Sequence, residues 1–276
     1  MRRHRTEQPL KGRVLIIAGS DSGGGAGIQA DIKTVTALGA FAMTAVTALT
    51  AQNTRGVSAI HDVPAAFVVD QMRAVLSDIG ADSVKTGMLH RADIIEAIAD
   101  ALEAECSRIP IVIDPVMTAK GGHALLEEQA VRALKSRLLP LAGVLTPNIP
   151  EAEALTGMKI NNHDDARRAI RLLAALGPRA VLLKGGHLAG DMIIDLLLAD
   201  GELHVFEDPR INTRNTHGTG CTLASAVAAG LAQGKTVKDA VKTARAYVQE
   251  AIRTAPGLGG GHGPLNHAHT VKPFTG

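Results

Sequence analysis

The sequence predicts an α/β fold: one domain with a mostly parallel central sheet and helices on both faces, in three layers. Three observations predict it. Short apolar runs of strand length alternate with segments of helical period. Most of these runs end in a polar turn rich in Gly, Pro or Asn. The tally is about six βα units, with one hairpin signal, Asp200-Gly201, near the end.

The elements follow in order. Met1 to Arg13 is basic and has no apolar stretch, so residues 1–13 read as a flexible tail rather than a secretory signal. Val14 to Ala18 is a buried-type strand. It runs into the glycine loop Gly19-Ser20-Asp21-Ser22-Gly23-Gly24-Gly25-Ala26-Gly27, and a helix follows from Ile28 to Leu38, stopped by Gly39. Met43 to Thr50 and Val57 to His61 read as strands of a small flap over residues 41–62. Pro64 opens a helix to Leu76. Ser83 to Thr86 is a strand broken by Gly87-Met88, and Ala92 to Glu105 is a helix. Ile109 to Ile113 is a parallel-type strand ending in Asp114-Pro115, followed by Met117 to His123, a candidate lid, and a helix from Glu127 to Leu138. Gly143 to Leu145 ends in Thr146-Pro147-Asn148, before helices at 151–155 and 164–176. Ala180 to Leu183 ends in Lys184-Gly185-Gly186-His187. The hairpin strands are Met192 to Leu198 and Leu203 to Phe206, and the last helices are 223–233 and 237–253.

Composition narrows the function classes. The chain has 276 residues, a formal net charge of +2 and 2% aromatic residues, with no Trp. This gives no basic stripe and no stacking platform, so nucleic acid is not an expected partner. The apolar runs are too short to span a bilayer. Two distant cysteines, Cys106 and Cys221, form no metal pair and suit a reducing cytoplasm. Cys106 reads as inert core.

In open α/β sheets ligands bind beyond the carboxyl ends of the strands. The turns at Gly19, Gln52, Gly87, Asp114, Asn148 and Lys184 therefore share one rim. Onto that rim Asn215-Thr216-His217-Gly218-Thr219-Gly220-Cys221-Thr222 places a glycine turn and the start of an Ala-rich helix. Backbone N–H groups and the helix dipole make an anion hole there. A thiol at such a terminus is expected to have a lowered pKa; the alternative is a buried Cys in a plain glycine turn. Asn148 and Glu151, three apart, suit either a hydrated Mg²⁺ or a helix capping box. Asp114 reads as a metal contact or a turn cap, and Lys184 as a phosphate contact or a solvated side chain. His217 reads as structural or phosphate-contacting, and the tract His262, His267 and His269 is too weak a pattern for zinc. Metal ligands, a lysine and an anion hole form a phosphoryl-transfer set without a P-loop motif. A Cys221–His217 hydrolase, a silent nucleotide-binding regulator and a dinucleotide oxidoreductase are the competing classes.

Several separated motifs then coincide. Gly19 to Asp31, Ala51-Gln52-Asn53-Thr54, Lys85-Thr86-Gly87-Met88-Leu89, Thr146-Pro147-Asn148 with Glu151, Lys184-Gly185-Gly186-His187, Asn215 to Thr222 and Gly261-His262-Gly263-Pro264 stand in one order. From about Val14 to His269 the chain resembles the bacterial hydroxymethylpyrimidine/phosphomethylpyrimidine kinases of the ribokinase-like superfamily. Ser22 and Gly23 depart from the Pro and Ser usual in that family's first loop. The resemblance implies a ribokinase-like domain over residues 14–276 that uses ATP and Mg²⁺ and forms a homodimer. It would phosphorylate 4-amino-5-hydroxymethyl-2-methylpyrimidine and then the monophosphate, with pyridoxal as the competing substrate. It assigns Gly19, Asp31, Gln52, Met88 and Val116 to the pyrimidine pocket and Cys221 to the role of base. Gly218, Thr219 and Gly220 form the anion hole, Lys184 contacts phosphate, and Asp114, Asn148 and Glu151 serve nucleotide and metal.

Overall fold

A computed structural model describes residues 10–117, 126–272 and 275. Among the described residues nine strands form one sheet: β1 (Arg13–Asp21), β2 (Phe41–Asn53), β3 (Gly56–Asp62), β4 (Ser83–Thr86), β5 (Ile111–Ile113), β6 (Val144–Leu145), β7 (Ala180–Leu183), β8 (Met192–Ala199) and β9 (Glu202–Pro209). Their order is β3-β2-β1-β4-β5-β6-β7-β8-β9. The six strands β2-β1-β4-β5-β6-β7 run parallel; β3 and β8 run antiparallel to them at the two edges, and β9 pairs antiparallel with β8. The α-helices of the described residues are α1 (Gly27–Ala37), α2 (Ala65–Asp78), α3 (Ala92–Glu105), α4 (Glu128–Ala133), α5 (Ile149–Thr156), α6 (His163–Ala174), α7 (Thr219–Ala232) and α8 (Val237–Arg253).

Period-two alternation splits the strands between two cores. Leu15, Ile17, Val84, Ile113 and Leu183 point to the layer containing α2, α3, α5 and α6. Val14, Ile16, Val112, Val144 and Leu182 point to the layer of α1, α7 and α8. Burial on both faces is why these strands read as continuous apolar runs. Helix α7 is buried from Thr222 through Gly230, which explains its Ala-rich, weakly amphipathic sequence. By the same alternation Lys85, next to Val84 on β4, points into the α1–α7 layer.

Several boundaries differ from expectation for physical reasons. Strand β1 continues through the glycines to Asp21, because Ser20 and Asp21 pair with Leu49 and Thr50 of β2 after a register shift. Arg13 belongs to β1 rather than to the tail, and its guanidinium pairs with Asp82 at 2.6 Å. Pro64 is the N-cap of α2 and not its first residue. The helix expected over 127–138 is α-helical only to Ala133. It then widens into a π turn at Leu134–Leu138 and a 3₁₀ turn containing Pro140, whose missing N–H prevents further α-helix. The candidate lid lies outside the described residues except for Met117.

Candidate active site

The glycine loop after β1 and the start of α7 are built against each other. Gly218 adopts φ +81°, and a Cβ there would lie 1.8 Å from the Gly25 carbonyl oxygen. Gly27 has φ +54°, and its Cβ would lie 2.4 Å from the Gly19 oxygen. Only glycine fits either position. The loop is folded around Asp21, whose carboxylate accepts the N–H groups of Gly23, Gly25 and Ala26 and the His217 ring at 2.8 Å. Burial opposes the Asp21 charge, but the His217 and backbone hydrogen bonds outweigh it and hold its pKa below the ordinary value. A carboxylate partner places the proton on His217 Nε2. Gln52 Nε2, 3.4 Å from that nitrogen, therefore faces another donor.

Around this junction lies a cavity of about 690 Å³ at the carboxyl ends of the parallel strands. Gly19, Gln52, Met88, Asp114, Val116, Asn148, Glu151, Lys184, Gly218, Thr219, Gly220 and Cys221 all line it. One wall is Gly19 against Met88: a Cβ on Gly19 would lie 2.5 Å from Met88 Cε, so the bare glycine makes room for the thioether.

At the other end, Lys184 donates to Asp114 Oδ1 at 3.0 Å, and Thr146 donates to the same oxygen at 3.2 Å. Gly220 packs over this pair, its Cβ position 3.3 Å from Lys184 Nζ. Burial works against the Lys184 charge, yet Asp114 and Glu151 raise its pKa above the ordinary value. Asn148 and Glu151 form the capping box of α5, with bonds of 2.9 and 2.8 Å. Glu151 nevertheless faces the cavity, and burial pushes its pKa up to about 7, with Lys184 pulling it down and Asp114 adding to the rise. Two carboxylates and an amide oxygen beside one lysine fit a cation that keeps most of its waters. No cluster of three or more His, Cys, Asp or Glu arranged for a metal occurs among the described residues.

Cys221 is in the first turn of α7 and partly exposed to the cavity. The expected lowering of its pKa does not occur. Burial pushes the thiol up to about 12, and Asp31 and Asp114 add to this, while Lys85 and the Gly27 N–H oppose it. Desolvation outweighs the helix terminus here. The N–H of Gly27, the first residue of α1, is directed at the Cys221 thiol.

Asp31 is not in the pocket wall. It is fully buried behind it, held by Lys85 Nζ at 2.8 Å and Ser225 Oγ at 2.7 Å. The pairing of Cys221 with His217 required by a hydrolase is also absent, because His217 turns its ring to Asp21. Of the C-terminal histidines, His267 is buried against the Thr222 hydroxyl at 3.0 Å and His269 meets the Tyr247 carbonyl at 3.1 Å. Cys106, the C-cap of α3, is buried, and its thiol is pushed up to about 11. The sequence reading passed over Asp21, Ser225, the role of Lys85, and Arg210, which donates to the carbonyls of Gly186, Leu188 and Gly190 and braces the loop after Lys184. A lysine inside a buried strand was the one available signal, since buried lysines are nearly always paired.

The family model for phosphomethylpyrimidine kinase matches residues 21–266. This chain belongs to the phosphomethylpyrimidine kinase family. It is therefore a phosphotransferase, with the ribokinase-like fold of its relatives. It is 51% identical to the hydroxymethylpyrimidine/phosphomethylpyrimidine kinase of Streptomyces coelicolor, over 92% of this chain and 93% of that protein. It is 58% identical to the thiamine biosynthesis bifunctional protein of Geobacter sulfurreducens over 93% of this chain, which spans about half (52%) of that longer relative. Among solved structures, an ADP complex of Bacillus subtilis pyridoxal kinase matches with a TM-score of 0.85 at 37% identity, covering 94% of this chain and 98% of that one. Among the described residues no helix is long and apolar enough to cross a membrane.

Proposed function

We propose that this family member transfers the γ-phosphoryl group of ATP to 4-amino-5-hydroxymethyl-2-methylpyrimidine and then to its monophosphate, in thiamine biosynthesis. The observation that carries this reading is the convergence of Gln52, Cys221 and the Lys184–Asp114–Glu151 group on one cavity. Its volume falls in the range of small-molecule sites. Gln52 offers an amide donor and acceptor to the ring nitrogen and amine of an aminopyrimidine, against the Gly19–Met88 wall. Lys184 and the first-turn N–H groups of Gly218, Thr219 and Gly220 meet the phosphates and hold charge that develops on the transferred group. Asp114, Asn148 and Glu151 would hold Mg²⁺, which would neutralise phosphate charge.

In the first transfer, the hydroxymethyl oxygen forms a bond to the γ-phosphorus as the bond from that phosphorus to the ADP oxygen breaks. The hydroxyl proton passes to the sulfur of Cys221, and ADP leaves with the bridging electron pair. A thiol with a high pKa is a strong proton acceptor once ionised but is rarely ionised at neutral pH. The reading therefore requires positive charge close to the sulfur. In this reading residues 14–276 form one kinase domain that works as a cytoplasmic homodimer.

Pyridoxal is the competing substrate, favoured by the match to the Bacillus pyridoxal kinase. The test is ADP release with Mg-ATP and, in parallel, the hydroxymethylpyrimidine, its monophosphate and pyridoxal. Turnover of both pyrimidines is expected. Turnover of pyridoxal alone would overturn the assignment, and equilibrium sedimentation tests the dimer.

A further inference from the structure

Lys85 is a buried cation that the reaction described above leaves without a task. Its side chain has no exposed surface, yet it reaches the floor of the cavity. It lies on the face of β4 that packs toward α1 and α7. Its ammonium donates to one oxygen of Asp31 at 2.8 Å, and the other oxygen of Asp31 accepts the Ser225 hydroxyl at 2.7 Å. Ser225 lies four residues after Cys221, so the hydroxyl and the thiol share one face of α7. The chain also leaves space for the ammonium: a Cβ on Gly87 would lie 2.8 Å from Lys85 Nζ. Burying an ion pair is costly, because desolvation can exceed the attraction between the two charges.

The charged groups around Cys221 come from each element packed on it: Lys85 from β4, Asp31 from α1, Asp114 after β5 and Lys184 after β7. Among them Lys85 acts on the thiol most strongly and favours its ionised form, while Asp31 and Asp114 oppose it. Burial opposes the charge of Lys85 itself, but Asp31, then Cys221 and Asp114, keep the ammonium protonated with a raised pKa.

We propose that Lys85, which lines the same cavity as Cys221 and is held by Asp31 and, through it, Ser225, is the counter-ion of the Cys221 thiolate. It is a positioning residue that acts through Cys221, and this rests on the reading of Cys221 as the base. When the sulfur takes the substrate's proton the thiol becomes neutral, and Lys85 keeps its own proton on Asp31.

The test follows iodoacetamide alkylation of Cys221 in the full chain by peptide mass mapping, from neutral to alkaline pH. Wild type is compared with Lys85→Met and with Lys85→Met/Asp31→Asn, which leaves no lone buried charge if the single variant fails to fold. At any pH below the thiol's titration, each unit of upward shift slows alkylation about tenfold. Lys85→Met is expected to slow it about tenfold or more, and the double variant less but in the same direction. A purely structural lysine would lower Tm and leave the pH profile in place. Unchanged profiles in the folded variants would overturn the proposal. Turnover by Cys221→Ala separates the two readings: if that variant keeps its rate, the base assignment falls, while alkylation still reports whether Lys85 sets the thiol's charge.

Discussion

Replacing Gly218 by Ala tests whether the junction between the first glycine loop and α7 positions the chemistry. At φ +81° a side chain costs about 1–3 kcal/mol of backbone strain. The collision adds to this. The new Cβ would start 1.8 Å from the Gly25 oxygen, whereas 3.0 Å is a floor that real Cβ contacts essentially never cross. The loop and the helix start must therefore separate by about 1 Å, the scale of misplacement that costs about a hundredfold in rate. A loss of about 2–3 kcal/mol, at about 2–4 °C per kcal/mol, lowers Tm by about 4–12 °C. Gly39→Ala is the control. Gly39 has nearly the same φ, +80°, but no atom within 4 Å of its Cβ position, and it lies outside the cavity lining. Scanning calorimetry and ADP release on both variants separate strain from displacement. Gly39→Ala should lose stability and keep kcat, while Gly218→Ala should lose both. If Gly218→Ala turns over within a factor of about two of wild type, the transferred phosphoryl group does not depend on this junction.

Other outcomes follow from the buried charges. Glu151 titrates near 7 rather than 4.5, so its stabilising contribution is complete below the unfolded value and is lost as pH rises toward 7. Glu151→Gln should therefore raise Tm by a few degrees at pH 8, with the gain fading in acid, while kcat falls; a lower Tm at pH 8 would contradict this. His267 is depressed to about 4 by burial, so its contribution is complete above 6.5 and is lost as pH falls toward 4. His267→Gln should flatten the decline of Tm over that window, as calorimetry at stepped pH will show. Asp195 is buried against Arg245 and accepts the Gly185 N–H at 2.8 Å. Asp195→Ala leaves Arg245 with Asp208 as its remaining carboxylate and deprives the Gly185 N–H of its acceptor, and should cost about 1–3 kcal/mol in urea unfolding.

The sheet was legible in the sequence because its central strands are buried on both faces. Runs such as Val14 to Ala18 and Ala180 to Leu183 can be little else, and the turns after them fall on one rim. The helix after the second glycine turn was legible because Gly218 and Gly220 stand at the start of a long Ala-rich apolar run. Asp31 was misplaced because its surroundings depend on Lys85, 54 positions away, and on Ser225, 194 positions away. Sequence spacing carries no trace of such pairs. The thiol's pKa lay beyond the sequence for a related reason: the helix terminus is local and readable, while desolvation is set by everything packed around it. The π turn after α4 was hidden because Leu134 and Leu138 keep an acceptable helical spacing up to Pro140.

The most direct measurement compares steady-state phosphoryl transfer by Cys221→Ala and Cys221→Asp with wild type, using Mg-ATP and the hydroxymethylpyrimidine. General-base catalysis contributes about 10²- to 10⁴-fold. The alanine variant should therefore lose that much in kcat with little change in KM for ATP. The carboxylate of Cys221→Asp, which is ionised at neutral pH, should restore part of the loss. An alanine variant that retains kcat within a few-fold of wild type would show that the substrate's proton leaves by another route and that Cys221 is not the base.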